Sequence, residues 1–206
     1  IRGWSTPVVF QTDGRKEQIL NGHSKVVSYN IANGDVYWEC IASVGRGTPT
    51  LALTKETVIS VPGRSGTMVA IRPGGAGDVS GKQEAWRVER GGGRDLPSPL
   101  VVGDYLIVTR LRPGIITCYD NRNGEQLWQQ RVEGGFSSSP IAINGIVYTV
   151  TESGVTHVFK PANSFESVSK NSVDATLEET FRASPAAFDG HLLIRSDKFL
   201  YCIGQK

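Results

Sequence analysis

Five times along the chain a Ser-Pro or Thr-Pro pair opens a stretch of β-type sequence: Thr6-Pro7, Thr48-Pro49, Ser98-Pro99, Ser139-Pro140 and Ser184-Pro185. The starts fall 42, 50, 41 and 45 residues apart. Recurrence at such a period means that one supersecondary unit is repeated. A period of about 40–50 residues is that of a four-stranded blade in a β-propeller. The spacing therefore constrains the architecture far more than it constrains the function.

Three landmarks recur behind each proline. The first is a short apolar strand, as in Val8-Val9-Phe10, Leu100-Val101-Val102 and Ile141-Ala142-Ile143. Turns at Gly103-Asp104, Asn144-Gly145 and Asp189-Gly190 lead to the second strand. The third landmark aligns across all five repeats: Val27-Ser28-Tyr29-Asn30, Val69-Ala70-Ile71-Arg72, Thr117-Cys118-Tyr119-Asp120, His157-Val158-Phe159-Lys160 and Tyr201-Cys202-Ile203-Gly204. Its second position is small or medium and its third is large. Adjacent residues of a strand face opposite sides, so the small residues are expected to pack one blade on the next and the large ones to fill the other face.

A fourth strand follows in three repeats and carries a tryptophan. Tyr29 leads through Asn33-Gly34 to Trp38, and Tyr119 through Asn123-Gly124 to Trp128. Ile71 reaches Trp86 across a longer Gly-rich loop. The Asn-Gly pairs predict tight hairpins with positive φ at both residues. Trp38, Trp86 and Trp128, with Gly34 and Gly124, are the structural signature of the repeat, and each indole is expected to pack between blades. The fourth repeat has Ser167 to Val173 in place of the tryptophan strand, and the fifth shows no fourth strand before Lys206.

These landmarks divide the chain into repeats at about 1–45, 46–93, 94–135, 136–180 and 181–206, all in one array. Twenty-four glycines and ten prolines suit many short strands and turns. No apolar run approaches the ~20 residues of a membrane-spanning helix. A net charge of +2, from 22 basic and 20 acidic residues, gives no basic surface for nucleic acid. A ring of blades needs closure by a strand that the fifth repeat does not show. The expectation is either an upstream closing segment or membership of a larger ring. An open edge would otherwise invite pairing with another chain, including self-association.

The run from Tyr119 to Trp128 resembles the tryptophan-docking repeat of quinoprotein-type propellers, an aromatic, an acid, an Asn-Gly loop and Trp four residues after the glycine. Tyr29 to Trp38 matches with Asn30 in place of the acid, and Ala70-Ile71 with Trp86 matches around an insertion. The Ser/Thr-Pro openings fit the same PQQ-like repeat family, and the likeness covers essentially the whole chain. The resemblance implies an all-β propeller of four-stranded blades, similar in architecture to WD40 rings, in an exported or periplasmic bacterial setting. The family includes dehydrogenases that use pyrroloquinoline quinone with calcium. It also includes cofactor-free scaffolds, among them the lipoprotein that assists outer-membrane barrel assembly. The dehydrogenases carry adjacent cysteines and a Glu-Asn-Asp set around calcium, and no matching motif stands in this chain.

The remaining chemistry-bearing residues have structural readings. Cys118 and Cys202 share a repeat position with Ser28, Ala70 and Val158 and are expected to be buried; Cys40 is separate. None has metal-ligand spacing. His23, His157 and His191 occupy three different repeat positions. Glu178-Glu179 and the Asp13 to Glu17 stretch read as loop surface. One pattern stands out: Arg46, Arg94 and Arg182 each precede a Ser/Thr-Pro opening, on connections that run toward one face. Together they are the candidate ligand-binding set, suited to a carboxylate or acidic peptide by bidentate hydrogen bonding.

The expectation is a non-catalytic binding or scaffold propeller, with no cofactor, that presents a loop-lined face to a protein or peptide partner. Two alternatives stand beside it. One is a fragment of a quinone- and calcium-dependent dehydrogenase; the other is the sensor region of a larger receptor or kinase.

Overall fold

The computed structural model describes residues 4–42, 47–64, 66–91, 96–173 and 178–204. Among them the strands form five sheets, antiparallel but for one short parallel pairing, and no helix is long and apolar enough to cross a membrane. The first sheet orders β1 (Val8–Gln11), β2 (Lys16–Asn21), β3 (Lys25–Asn30) and β4 (Val36–Ile41) in sequence. The second contains β5 (Ala52–Leu53), β6 (Val58–Ser60), β7 (Gly66–Ile71) and, after the short β8 (Gly77–Asp78), β9 (Glu84–Arg90). The third holds β10 (Leu100–Val102), β11 (Tyr105–Arg110), β12 (Ile115–Asp120) and β13 (Gln126–Arg131). The fourth holds β14 (Ile141–Ile143), β15 (Ile146–Val150), β16 (Val155–Lys160) and β17 (Glu166–Ser172). The fifth has three strands, β18 (Ala186–Phe188), β19 (His191–Arg195) and β20 (Leu200–Ile203).

The repeat is visible as one cross-strand rung. Val8, Ile19, Ser28 and Trp38 lie directly opposite one another in the first sheet. Ala52, Ile59, Ala70 and Trp86 do so in the second. Leu100, Ile107, Cys118 and Trp128 form the third rung, and Ile141, Tyr148, Val158 and Ser169 the fourth. Directly opposed residues share a face, so each rung is one stripe of packing surface. The register shifts one residue past the rung in all four sheets, between the small and the large residue of the third strand. Such a bulge re-aims the chain at the end of a ladder. The fifth sheet supplies Ala186, Leu193 and Cys202 and stops there.

The chain separates into two compact units, Ile1–Ser98 with Arg122–Glu125, and Pro99–Asn121 with Gln126–Lys206. In the first, Trp38 is fully buried in a core with Ile19, Val26, Val58, Val69, Ile71 and Val79. The insertion before Trp86 is ordered: β8 pairs in parallel with the outer edge of β4, Trp38 opposite Gly77. That covers an edge otherwise open to association. Gly124 sits against Trp86 in the same unit. In the second unit Trp128 packs edge-on to Phe159 and Phe165, and its Nε1 donates to the carbonyl of Ala162 at 2.8 Å. Trp38 and Trp128 thus meet residues of the sheet that follows their own, and Trp86 meets the loop at Gly124.

Several expectations are corrected. The turns with positive φ at both residues are Asn144-Gly145 and Asp189-Gly190; at Asn33-Gly34 and Asn123-Gly124 only the glycine is positive. In the first of these loops the side chains of Asn30 and Asn33 accept from backbone N–H groups two residues on, an Asx geometry that removes the need for a second left-handed residue. Cys202 is exposed, although its repeat equivalents Ser28, Ala70 and Cys118 are 0% exposed. Glu17 is not loop surface but fully buried on β2, where it accepts from Trp38 Nε1 at 2.6 Å, Ser28 Oγ at 2.8 Å and Arg15 Nε at 2.9 Å.

Candidate ligand-binding face

In the second compact unit the turns between second and third strands come together with the connections that lead into the next sheet. They line a cavity of about 460 Å³ bounded by Leu111 to Gly114, Gly134, Gly135, Glu152, Ser153, Glu179, Thr180 and Arg182. Three glycines bring bare backbone to its wall. A Cβ on Gly135 would stand 1.9 Å from the carbonyl oxygen of Leu111, and one on Gly114 2.0 Å from that of Gly134. Backbone hydrogen bonds tie the wall together: Glu152 N donates to Gly135 O at 2.8 Å, and Phe181 N to Glu152 O at 3.0 Å. Phe181 beneath is fully buried with Val150 and Ile194.

Charge of both signs lines the opening. Glu152 accepts from Ser137 Oγ at 2.6 Å and pairs with Arg182 at 3.5 Å. The Arg182 side chain is 70% exposed, so that pair is long, solvated and weakly held. Arg112, also exposed, lines the same cavity. Glu179, also read from sequence as surface, is buried and accepts from the hydroxyl of Tyr201 at 2.7 Å. The arrangement offers two guanidinium groups at the rim and two carboxylates held by hydroxyls within it.

Of the three candidate arginines, Arg182 lies in this cavity wall. Arg46 and Arg94 lie outside the described residues. Sequence reading missed Arg112, Glu152 and Glu179. Nothing in the repeat pattern marked Glu152 as a site residue or Glu179 as buried. Trp38, Trp86, Trp128, Gly34 and Gly124 are not among the residues that line the cavity.

The other chemistry-bearing groups do not assemble a site. Among the described residues no three His, Cys, Asp or Glu side chains gather as a metal cluster. Cys40 and Cys118 are buried, and burial pushes their thiols up to about 11 and about 12, the Glu84 and Asp120 charges adding to the effect. His157 is held below its ordinary pKa by burial, with Lys170 contributing, and its Nε2 has no hydrogen-bond partner.

The family described as outer membrane protein assembly factor BamB matches residues 75–163. The BamB of Alkalilimnicola ehrlichii is 26% identical over 178 residues, 79% of this chain and 42% of that protein. The crystal structure of BamB from Moraxella catarrhalis superposes with a TM-score of 0.67 at 19% identity, over 92% of this chain and 54% of that one. The quinohemoprotein alcohol dehydrogenase of Comamonas testosteroni superposes with a TM-score of 0.69 at 14% identity, over 98% and 41%. The chain spans less than half the length of the curated relative it matches. It is an all-β, propeller-type chain with PQQ-like repeats, similar to BamB in sequence and fold and to the quinohemoprotein in fold.

Proposed function

We propose that this chain of PQQ-like repeats is a non-catalytic scaffold that presents its loop-lined face to a protein or peptide partner. The observation that carries the reading is the cavity of the second unit, lined by exposed Arg112 and Arg182 together with Gly114, Gly134 and Gly135. Guanidinium groups at a rim recognise carboxylates with fixed geometry, and open backbone beside them suits an extended peptide. The partner chemistry is an acidic peptide segment. Arg182, with Arg112, is assigned to hold its carboxylates. By likeness to an outer membrane protein assembly factor, we infer an exported, periplasmic setting and a partner within outer-membrane assembly. The quinone-dependent reading has fold likeness alone in its favour.

The test is fluorescence anisotropy with a labelled Glu-rich octapeptide against the chain and its Arg112→Ala/Arg182→Ala variant. Both arginines are exposed, so the variant keeps the fold. Saturable binding that falls at least tenfold in the variant is the expected result. Equal binding by the two proteins, or none by either, removes the loop-face reading.

A further inference from the structure

The cavity wall is backed by two rings in series. Gly134 and Gly135 line the cavity, and the next residue, Phe136, is fully buried between the third and fourth sheets, among Ile107, Ile116, Val147 and Phe159. The Phe136 N–H donates to the carbonyl of Arg110 at 3.4 Å, next to Leu111 of the same wall. Its ring meets that of His157 edge-on, with centroids 6.4 Å apart and planes at 68°. His157 lines no part of the cavity, yet it stands one side chain behind the backbone that shapes it.

The surroundings of His157 suit a neutral ring. Its Nε2 is buried without a hydrogen-bond partner, and so is the hydroxyl of Thr149, directly opposite on β15. The third-sheet face packed on this one presents Ile107, Thr109, Ile116 and Cys118, and the Thr109 hydroxyl is buried without a partner as well. None of these is charged, since burial keeps the Cys118 thiol protonated up to about 12. On β16 itself the neighbours on the same face are Val155 and Phe159. The charge comes from β17, where Lys170 stands directly opposite His157. A second proton on the imidazole would set two cations side by side and give Nε2 an N–H with no acceptor in reach.

We infer that His157 is a proton-operated support of the cavity wall, so that acidification weakens the hold on a peptide partner. The inference rests on the loop-face reading and adds its regulation. The neutral ring packs on Phe136 and keeps the backbone at 134–136 against Arg110 and Leu111. The protonated ring, only half-buried in the fold, turns toward water and leaves Phe136 unsupported. The wall loosens and affinity falls. Burial, with Lys170 contributing, holds the folded imidazole below the ordinary 6.5. A partner that selects the neutral form binds at full strength above about pH 6.5 and loses affinity as pH falls through the folded value.

The test titrates the labelled Glu-rich octapeptide at pH 7.5 and 5.0 into the chain and into its His157→Phe and His157→Gln variants, whose side chains do not ionise. On the same proteins without peptide, amide hydrogen exchange gives protection factors for Phe136 and Glu152, both hydrogen-bonded in the wall. Between the two pH values the chain should lose about fivefold or more in affinity, and each variant less than about twofold. Protection at Phe136 and Glu152 should fall by about fivefold or more in the chain and be independent of pH in the variants, with Ala70 of the second sheet unchanged in all three. The same pH dependence of binding in chain and variants, or protection that does not fall, overturns the inference and leaves the loop-face reading standing. A loss of protection that extends to Ala70 is global destabilisation and overturns it too. A peptide that binds at neither pH removes the loop-face reading, and the inference with it.

Discussion

Gly124 lies against the indole of Trp86, so closely that a Cβ there would stand 2.7 Å from Cε3 and 2.8 Å from Cγ2 of Val88. Its φ of +77° adds a second reason for glycine. Gly34 has almost the same φ, +80°, with nothing within 4 Å of its Cβ position. The two glycines separate backbone strain from packing. Gly34→Ala should cost about 1 kcal/mol, the left-handed penalty alone. Gly124→Ala should cost about 3 kcal/mol, because overpacking against Trp86 adds to it. Urea unfolding midpoints measure both, and equal losses would contradict the docking of Trp86 on this loop.

Glu17 is the buried centre of the first sheet's polar network. One oxygen receives the Trp38 indole and the Ser28 hydroxyl, and the other receives Arg15. Arg15 also lies over the Tyr37 ring at 4.0 Å and donates to the carbonyl of Gly75 at 2.6 Å. Glu17→Gln keeps the shape but turns an NH₂ group toward donors, leaving buried groups unpaired. It should lower stability by about 3 kcal/mol. A loss below about 1 kcal/mol in urea titration would show that the network is not holding Trp38 in place.

The fold's periodicity was legible in the sequence because it rests on local chemistry. Ser/Thr-Pro openings, strand-type triplets and tryptophan spacing all act within one repeat. The rung from Val8 to Trp38 follows from the same alignment that pairs Ser28 with Cys118. What escaped depends on contacts between distant residues. Glu17 reads as a surface acid next to Arg15 until Trp38 closes over it. Cys202 reads as buried by its repeat position, and only the missing fourth strand leaves it bare. The β8 strand hides in a Gly-rich run with no β-branched pattern, since its pairing is supplied by the edge of β4. At the loop face, Arg182 was legible from its place before Ser184-Pro185. Arg112 and Glu179 were not, because no repeat phase marks them.

The buried thiols give an alkaline signature. Cys40 and Cys118 ionise in the folded protein only near 11 and 12, against 9.0 for the free group. Their contribution to stability is whole below about pH 9 and is lost as pH rises through the folded values, since the unfolded chain ionises first. Each thiol should add a slope of up to about 1.4 kcal/mol per pH unit above pH 9. Cys40→Ala and Cys118→Ala should each flatten that limb in unfolding titrations, and an unaltered limb in both variants would contradict the assignment.

His157 gives the opposite limb. Burial, aided by Lys170, holds the folded imidazole below the ordinary 6.5, so the neutral ring is the native form. The stability it contributes is whole above about pH 6.5 and is lost as pH falls through the folded value. His157→Phe should reduce the acid-side slope by up to about 1.4 kcal/mol per pH unit. An unchanged slope between pH 6.5 and 4.5 would place the acid sensitivity elsewhere.

The central claim, a scaffold propeller without a cofactor, meets its most direct test in calorimetric titration of pyrroloquinoline quinone into the folded chain with calcium present. Circular dichroism on the same sample establishes that the β-structure is intact. The account predicts no saturable heat. Saturable binding near one equivalent would contradict it and make the quinone-dependent enzyme the better description.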